Sequence, residues 1–409
     1  MPGSLLNGLN HEPLRSEKYR SSDIALPLQF DAIWELPQNT FKNKAIVLSG
    51  KKDDSPSPDV LDGRVYTDVG VYEEVHYTLN RQGNRSAWTN KGRDVEVADI
   101  LGDNALKFSQ GCDLFPRTAL FHKFVERPNG NWDIAPIERT SNLWYLVNDQ
   151  KKASCNGLAA ENVDKSYIFD AFISKHLSPF YMATPAKVLM PGKKVNGQWK
   201  AISATDRALM NASTAYIFNQ IEEDANTPSS LATYLYDTIN IYGKLDKQNF
   251  FEKNWLVFSS ASGANPCAAY ISLETLESSR LIIDQTLYWY LADTEDEAIY
   301  IVGLLNSDAL SDAIKDFQPE GGFGKRHIHT LPYKIIPKYD NEDATHIEVI
   351  SRTRELMREW AALCREGEYA NLLQPNSSSL SSRRRRQQSA IRSLGTYAGY
   401  EAACHAILG

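Results

Sequence analysis

The stretch that most limits the fold is residues 345–373, where Ile347, Ile350, Leu356, Met357, Trp360, Leu363 and Cys364 recur at a spacing close to the period of an α-helix. A helix of that length with one apolar stripe cannot bury the stripe alone, so it must span or brace a folded body along its axis.

That body reads as strand-rich first and mixed later. Residues 41–50 form an apolar run ended by Gly50, residues 71–79 alternate loosely among β-branched and aromatic side chains, and residues 53–59 between them have loop composition. Residues 120–125 continue the strand pattern. Two turns carry Asn-Gly pairs, Asn129-Gly130 and Asn196-Gly197, which supply the left-handed backbone of β-hairpins. Between the hairpins, Ile168, Phe169, Phe172, Ile173 and Leu177 are spaced for a helix, and residues 206–222 and 231–239 also predict helices. Residues 254–260 and 267–271 predict strands; residues 295–305 and 308–317 predict helices. After Gln374 the chain turns serine- and arginine-rich, which predicts an exposed, mobile linker through residue 389 and then a short terminal helix. No repeat period is visible. The class is α+β, divided into a strand-rich region 1–130, a mixed region 131–245, a further domain 246–343, a long helix 344–373, and a linker with terminal helix 374–409.

With 409 residues, two or three domains are expected. A hydrophobic share of 42% and a charged share of 23% argue against disorder. The opening residues lack an apolar core of signal-peptide length, and nowhere do about 18 apolar residues run together, so neither secretion nor a membrane span is expected and the cytoplasm is the expected compartment. Cys112, Cys155, Cys267, Cys364 and Cys404 form no CxxC pair, which predicts buried free thiols and no metal site. The formal net charge of −7 does not advertise nucleic-acid binding over the whole chain, although Lys325-Arg326 and the run Arg383, Arg384, Arg385, Arg386 leave room for a local basic face.

The motif with the most chemistry is Gly321-Gly-Phe-Gly-Lys-Arg-His-Ile-His329. Its glycines permit close backbone approach, and cations or donors follow at Lys325, Arg326, His327 and His329, a set suited to phosphate and base-edge contacts. An ordinary glycine-rich turn is the competing reading. His327 and His329 lack a third metal ligand. No GxGxxG or P-loop is present, Ser259-Ser-Ala-Ser-Gly263 lacks the first glycine of a nucleophile elbow, and the paired carboxylates read as solvated faces, so no catalytic residue is assigned.

Residues 298–338 carry a family likeness. Tyr300-Ile-Val-Gly-Leu-Leu-Asn-Ser307, then Gly321-Gly-Phe-Gly-Lys-Arg326, then His329-Thr-Leu-Pro332 and Ile335-Ile-Pro337 resemble the target-recognition region of gamma-class N6-adenine DNA methyltransferases of restriction-modification and phage-exclusion systems. Residues 41–50 and Gly111-Cys-Asp-Leu-Phe-Pro-Arg-Thr118 look like further segments of the same proteins. The resemblance implies that residues 246–343 are a target-recognition domain, that Gly321, Gly322, Lys325, Arg326, His327 and His329 lie near double-stranded DNA, and that Pro332 closes the recognition region. The family's S-adenosylmethionine glycine motif and its Asn-Pro-Pro-aromatic tetrapeptide are absent; Asn265-Pro-Cys-Ala268 lacks the second proline and the ring. The resemblance therefore implies the C-terminal half of such an enzyme, with no cofactor in this chain, S-adenosylmethionine in the parent enzyme, and a methyltransferase catalytic domain as partner in cis or trans. A scaffold that binds a partner through an acidic surface, and an enzyme with a dispersed site, are the alternatives.

Overall fold

A computed structural model of the chain describes residues 6, 28–37, 45–53, 57–82, 85–90, 106–148, 157–225, 235–248, 250, 255–261, 265–276, 280–314, 320–321, 324–325, 331–365 and 367–409. The architecture is α+β, as expected.

The first sheet has five strands, Leu28–Glu35, Ile46–Lys52, Val60–Asp68, Val71–Gln82 and Arg85–Thr89, with Leu28–Glu35 between Ile46–Lys52 and Val60–Asp68. Its pairing with Val60–Asp68 is parallel, and the other pairings in the sheet are antiparallel. Alternation sends Ile33, Leu61, Tyr77 and Leu79 to one buried face and leaves Tyr72 exposed. Inside that face the Tyr77 hydroxyl donates to the Glu35 carboxylate at 2.5 Å, so neither polar group is buried without a partner.

Both Asn-Gly hairpins form. Gly130 (φ 81°) closes the turn between Lys123–Glu126 and Trp132–Ala135. Asn196 (φ 52°) and Gly197 (φ 78°) are both left-handed between Gly192–Val195 and Gln198–Ala201, the backbone that a two-residue hairpin turn requires. The helix expected over residues 167–177 does not form. Ile168–Phe172 is instead the central strand of a sheet, antiparallel to Ala186–Leu189 and parallel to Leu281–Ile283. Ile168, Phe169, Ala171 and Phe172 are all buried because both faces of this strand are covered, and a short continuous apolar run cannot be told from a helix by spacing alone. Residues 206–222 are helical but broken: Ala204–Leu209 and Ala212–Ala225 meet at Asn211, whose side chain accepts from the Thr214 amide.

A four-stranded sheet, ordered Ala268–Ser272, Trp255–Ser260, Leu287–Ala292, Ser109–Gln110, supports the helix Glu295–Asn306. Thr294 caps the helix by accepting from the Glu297 amide, while the Glu297 carboxylate takes the Asp293 amide and the Tyr290 hydroxyl. Residues 297–305 are buried all round, because the helix Ala344–Leu363 covers the side away from the sheet and Tyr400, on the helix Tyr397–Leu408, reaches Gly303. Gly303 makes that packing possible. A Cβ there would stand 2.3 Å from Thr353 Oγ1, and the Tyr400 hydroxyl donates to the Gly303 carbonyl at 2.5 Å. Gly303→Ala is expected to cost about 1 to 3 kcal/mol by overpacking, and Thr353→Ala in the same chain should return part of it. Urea midpoints of the two single variants and the double variant check this; simple additivity would contradict the contact.

The long helix is shorter than its sequence pattern. Its buried stripe is His346, Val349, Ile350, Thr353, Leu356 and Trp360, with Ile347 and Leu363 off the stripe and exposed, and it ends at Leu363. Gly367 takes a left-handed φ of 74° and opens a separate helix, Gly367–Leu372. The exposed linker expected over residues 375–389 is mostly a third helix, Leu380–Arg392, whose Ser379 cap accepts from the Ser382 amide. Arg383, Gln387, Ala390 and Ile391 form its buried face, a helical spacing hidden by polar composition.

Candidate functional site

Glu320–Gly321 and Gly324–Lys325 pair as a two-stranded antiparallel ribbon, Glu320 opposite Lys325 and Gly321 opposite Gly324. The structure thus brings Gly321 and Lys325 together at the level of the backbone. Gly322, Arg326, His327 and His329 lie outside the described residues. The ribbon sits in the chain between two buried anchors. Upstream is the helix Asp308–Ile314, with Ile314 fully buried; downstream, Leu331–Ile335 seats Tyr333, whose ring stacks on Phe108 with centroids 3.9 Å apart and whose carbonyl accepts from the Leu106 amide.

The Leu-Leu-Asn-Ser segment has a structural job. Asn306 uses its side-chain amide as a strand backbone would, accepting from the Ala268 amide at 3.0 Å and donating to the Ala268 carbonyl at 2.8 Å. Ser307 accepts from the Leu310 amide, and the Glu401 carboxylate accepts from the Asp308 and Ala309 amides, so the next helix starts with its orphan donors satisfied. Pro332 is buried.

The arginine run divides. Arg383 is fully buried and donates to the carbonyls of Gln374 and Lys175; Arg384 donates to those of Ser174 and Leu177. Arg385 is exposed. Burial, with Arg384 beside it, pushes the Arg383 guanidinium down to about 10. Burial and the same guanidinium hold His176 down at about 3, where its Nδ1 accepts from the Ile173 amide and its Nε2 meets the Tyr145 hydroxyl at 2.9 Å. Arg383 and Arg384 therefore tie the C-terminal helices to residues 174–177, and they are withdrawn from any ligand.

The segment 111–118 forms a polar joint with residues 239–248 and 283–286. The Gly111 amide donates to the Leu287 carbonyl, the Cys112 amide to that of Ile283, and the Gln285 amide to that of Cys112. Arg117 pairs with the buried Asp284 at 3.3 Å, and Asp284 also accepts from the Thr286 amide. Lys244 Nζ donates to Gln110 Oε1 at 2.8 Å, Gln110 Nε2 to the Gln285 carbonyl, and Gln285 Nε2 to Asp113 Oδ1 at 2.6 Å. Burial and the neighbouring Asp284 carboxylate raise Asp113 to about 6.

Two loops leave this joint with large apolar side chains in solvent: Phe115 (53% exposed), Ile241 (42%) and Tyr242 (81%). Tyr242 has φ 60°, a left-handed conformation that a bulky side chain adopts only under constraint. The constraint is visible. Asn240 accepts from the Leu245 and Asp246 amides and donates to the Asp246 carboxylate, closing the loop around Tyr242 and Gly243. Sequence reasoning noticed the 111–118 segment but missed Tyr242. Only the pair Tyr242-Gly243 hinted at a turn, and nothing in it showed which side chain would face water.

Among the described residues, no three His, Cys, Asp or Glu side chains are grouped to hold a metal ion. No helix of the described residues is long and apolar enough to cross a membrane. Cys112, Cys267, Cys364 and Cys404 are buried free thiols.

No protein family profile matches the chain, and no curated protein matches it. Among solved structures it is similar to the Type IIL restriction-modification enzyme MmeI in complex with DNA, at 10% identity and a TM-score of 0.48, over 93% of this chain and 45% of that one. It is also similar to the type IIG restriction endonuclease BpuSI, at 13% identity and a TM-score of 0.29, over 100% of this chain and 47% of that one. The chain spans about half the length of each.

Proposed function

We propose that this chain is the DNA sequence-recognition portion of an adenine-N6 DNA methyltransferase of a restriction-modification or phage-exclusion system. It would correspond to the C-terminal half of a gamma-class enzyme in the cytoplasm, with methyl transfer from S-adenosylmethionine performed by a catalytic domain in cis or trans. The observation that carries the reading is the Glu320–Lys325 ribbon. A two-stranded ribbon is one of the two elements that the major groove of B-DNA admits, and this one bears Lys325 and is followed directly by Arg326, His327 and His329. The target-recognition resemblance of residues 298–338, which include the ribbon, supports the same reading. Specificity would come from side chains at base edges, with Lys325 and Arg326 on phosphates.

The test is binding of labelled duplex DNA by the full chain at two salt concentrations. Affinity is expected to fall with salt. Lys325→Ala/Arg326→Ala is expected to weaken binding and flatten the logarithmic salt slope by about 2, roughly one unit for each phosphate no longer neutralised. Absence of salt-dependent affinity in the unaltered chain would return the acidic-scaffold reading.

A further inference from the structure

We propose that the polar joint formed by residues 110–117, 239–248 and 283–286 is a proton-operated lock, in which the Asp113 carboxyl takes up one proton on mild acidification and so removes the like charge that Asp284 faces across the joint. The lock works in the free protein, whether or not the chain binds DNA.

The backbone brings the two acids together. Cys112 and Asp284 pair as a parallel bridge, the Cys112 amide donates to the Ile283 carbonyl and the Gln285 amide to that of Cys112, and Gly111 has no Cβ to hold the segments apart. Asp113 follows directly on that bridge. Its amide donates to the Ile239 carbonyl and its Oδ1 accepts from Gln285 Nε2 at 2.6 Å, so this one residue reaches both of the other segments. Gln248 closes the third side, its Nε2 donating to the Ile283 carbonyl while its Oε1 accepts from the Ile283 amide. Segments held by so few main-chain bonds close or part as a unit, and the charge state between them decides how firmly.

The donor on Asp113 is a neutral amide, while the cations of the joint are placed elsewhere. Arg117 meets the buried Asp284 at 3.3 Å, and Asp284 also accepts from the Thr286 amide and hydroxyl. Lys244 donates its ammonium to Gln110 Oε1 at 2.8 Å. Through space, Lys244 and Arg117 favour the ionised form of Asp113, and Asp284 opposes it. Asp237 and Asp246, from the same stretch as Lys244, act on the Tyr236 hydroxyl, and the Cys112 thiol, pushed up by burial and by Asp284, carries no charge. Burial first and the Asp284 carboxylate second outweigh the two cations, which is why Asp113 rises to about 6.

An aspartate in the unfolded chain ionises near about 4, so as pH falls through about 6 the closed joint takes up its proton before the open chain does. The sign is therefore the reverse of ordinary acid denaturation: the joint tightens from about pH 7 down to about pH 4. Native-state hydrogen exchange of the full chain reads this at the Cys112, Asp113 and Gln285 amides. Corrected for the intrinsic rate, their protection is expected to rise about three- to tenfold between about pH 7.5 and about pH 5, the lower figure allowing for solvent screening at a half-buried carboxyl. Asp113→Asn keeps an acceptor for Gln285 and should be equally protected at both pH values, so other groups that titrate in this range cancel in the comparison. Lys244→Gln keeps a donor for Gln110 but removes an ammonium that opposes protonation, so the midpoint of the response should move to higher pH. Protection that does not change with pH in the unaltered chain, or a response that survives in Asp113→Asn, would overturn the lock. If Asp113→Asn fails to fold, Lys244→Gln decides alone: a raised midpoint upholds the lock, and an unmoved one overturns it.

Discussion

Arg383→Ala is expected to destabilise the protein by about 3 to 5 kcal/mol, a large share of what holds a domain together. The substitution empties a fully buried volume and leaves the Gln374 and Lys175 carbonyls without their guanidinium donor. The guanidinium itself faces carbonyls rather than a carboxylate in these contacts, so the cost arises from orphaned acceptors and poorer packing rather than from a broken ion pair. Arg383→Met should accordingly recover about half of the stability, because it refills the volume and removes a charge that is costly to bury. Arg385→Ala, two residues on and exposed, should change stability by less than about 0.5 kcal/mol. Urea unfolding of the three variants decides the matter: equal midpoints for Arg383→Ala and Arg385→Ala would mean that the buried clamp contributes nothing.

Gly111→Ala is expected to cost about 3 kcal/mol or more, at the upper end of overpacking, because the atoms it meets are main chain. A Cβ at Gly111 would stand 2.3 Å from the Asp284 carbonyl oxygen and 2.4 Å from that of Ile283. Neither oxygen can move without breaking the Cys112 to Ile283 hydrogen bond or displacing Asp284 from Arg117. Gly70→Ala makes the fitting control. Gly70 has φ 77° and nothing within 4 Å of an added Cβ, so its cost is the left-handed conformation alone, about 1 to 2 kcal/mol. Thermal unfolding should rank Gly111→Ala well below Gly70→Ala, and the reverse order would show that the joint yields.

Sequence reading succeeded where local chemistry dictates the answer and failed where tertiary context does. The Asn-Gly turns at 129–130 and 196–197 were legible because few other residues accept that backbone. The helix Glu295–Asn306 was legible through its apolar face, although burial on all sides was not. Residues 168–172 misled because a strand covered on both faces has no alternation to read. Residues 380–392 misled for the opposite reason: arginine and glutamine normally mark solvent, and it takes the Gln374 carbonyl together with those of residues 174–177, far away in the chain, to make Arg383 and Arg384 interior. At the candidate site, the glycines allowed close backbone approach, but the pairing of Glu320–Gly321 with Gly324–Lys325 was not expected from spacing. Nor was Tyr242, since its exposure follows from hydrogen bonds of Asn240 that no spacing rule encodes.

The contact between Arg383 and Lys175 spans 208 positions, and it sets a schedule for synthesis. Residues 174–177 leave the ribosome long before their guanidinium partners exist, and until then the carbonyls of Ser174, Lys175 and Leu177 must be satisfied by water. The sheet through Ile168–Phe172 is in the same position, because its parallel neighbour Leu281–Ile283 is also made later. The middle of this protein therefore emerges with an unpaired strand edge and a hydrated turn. The edge is covered once Leu281–Ile283 is made and the turn once the C-terminal helices arrive, so termination before residue 281 releases a chain that exposes a sticky edge rather than a smaller stable protein.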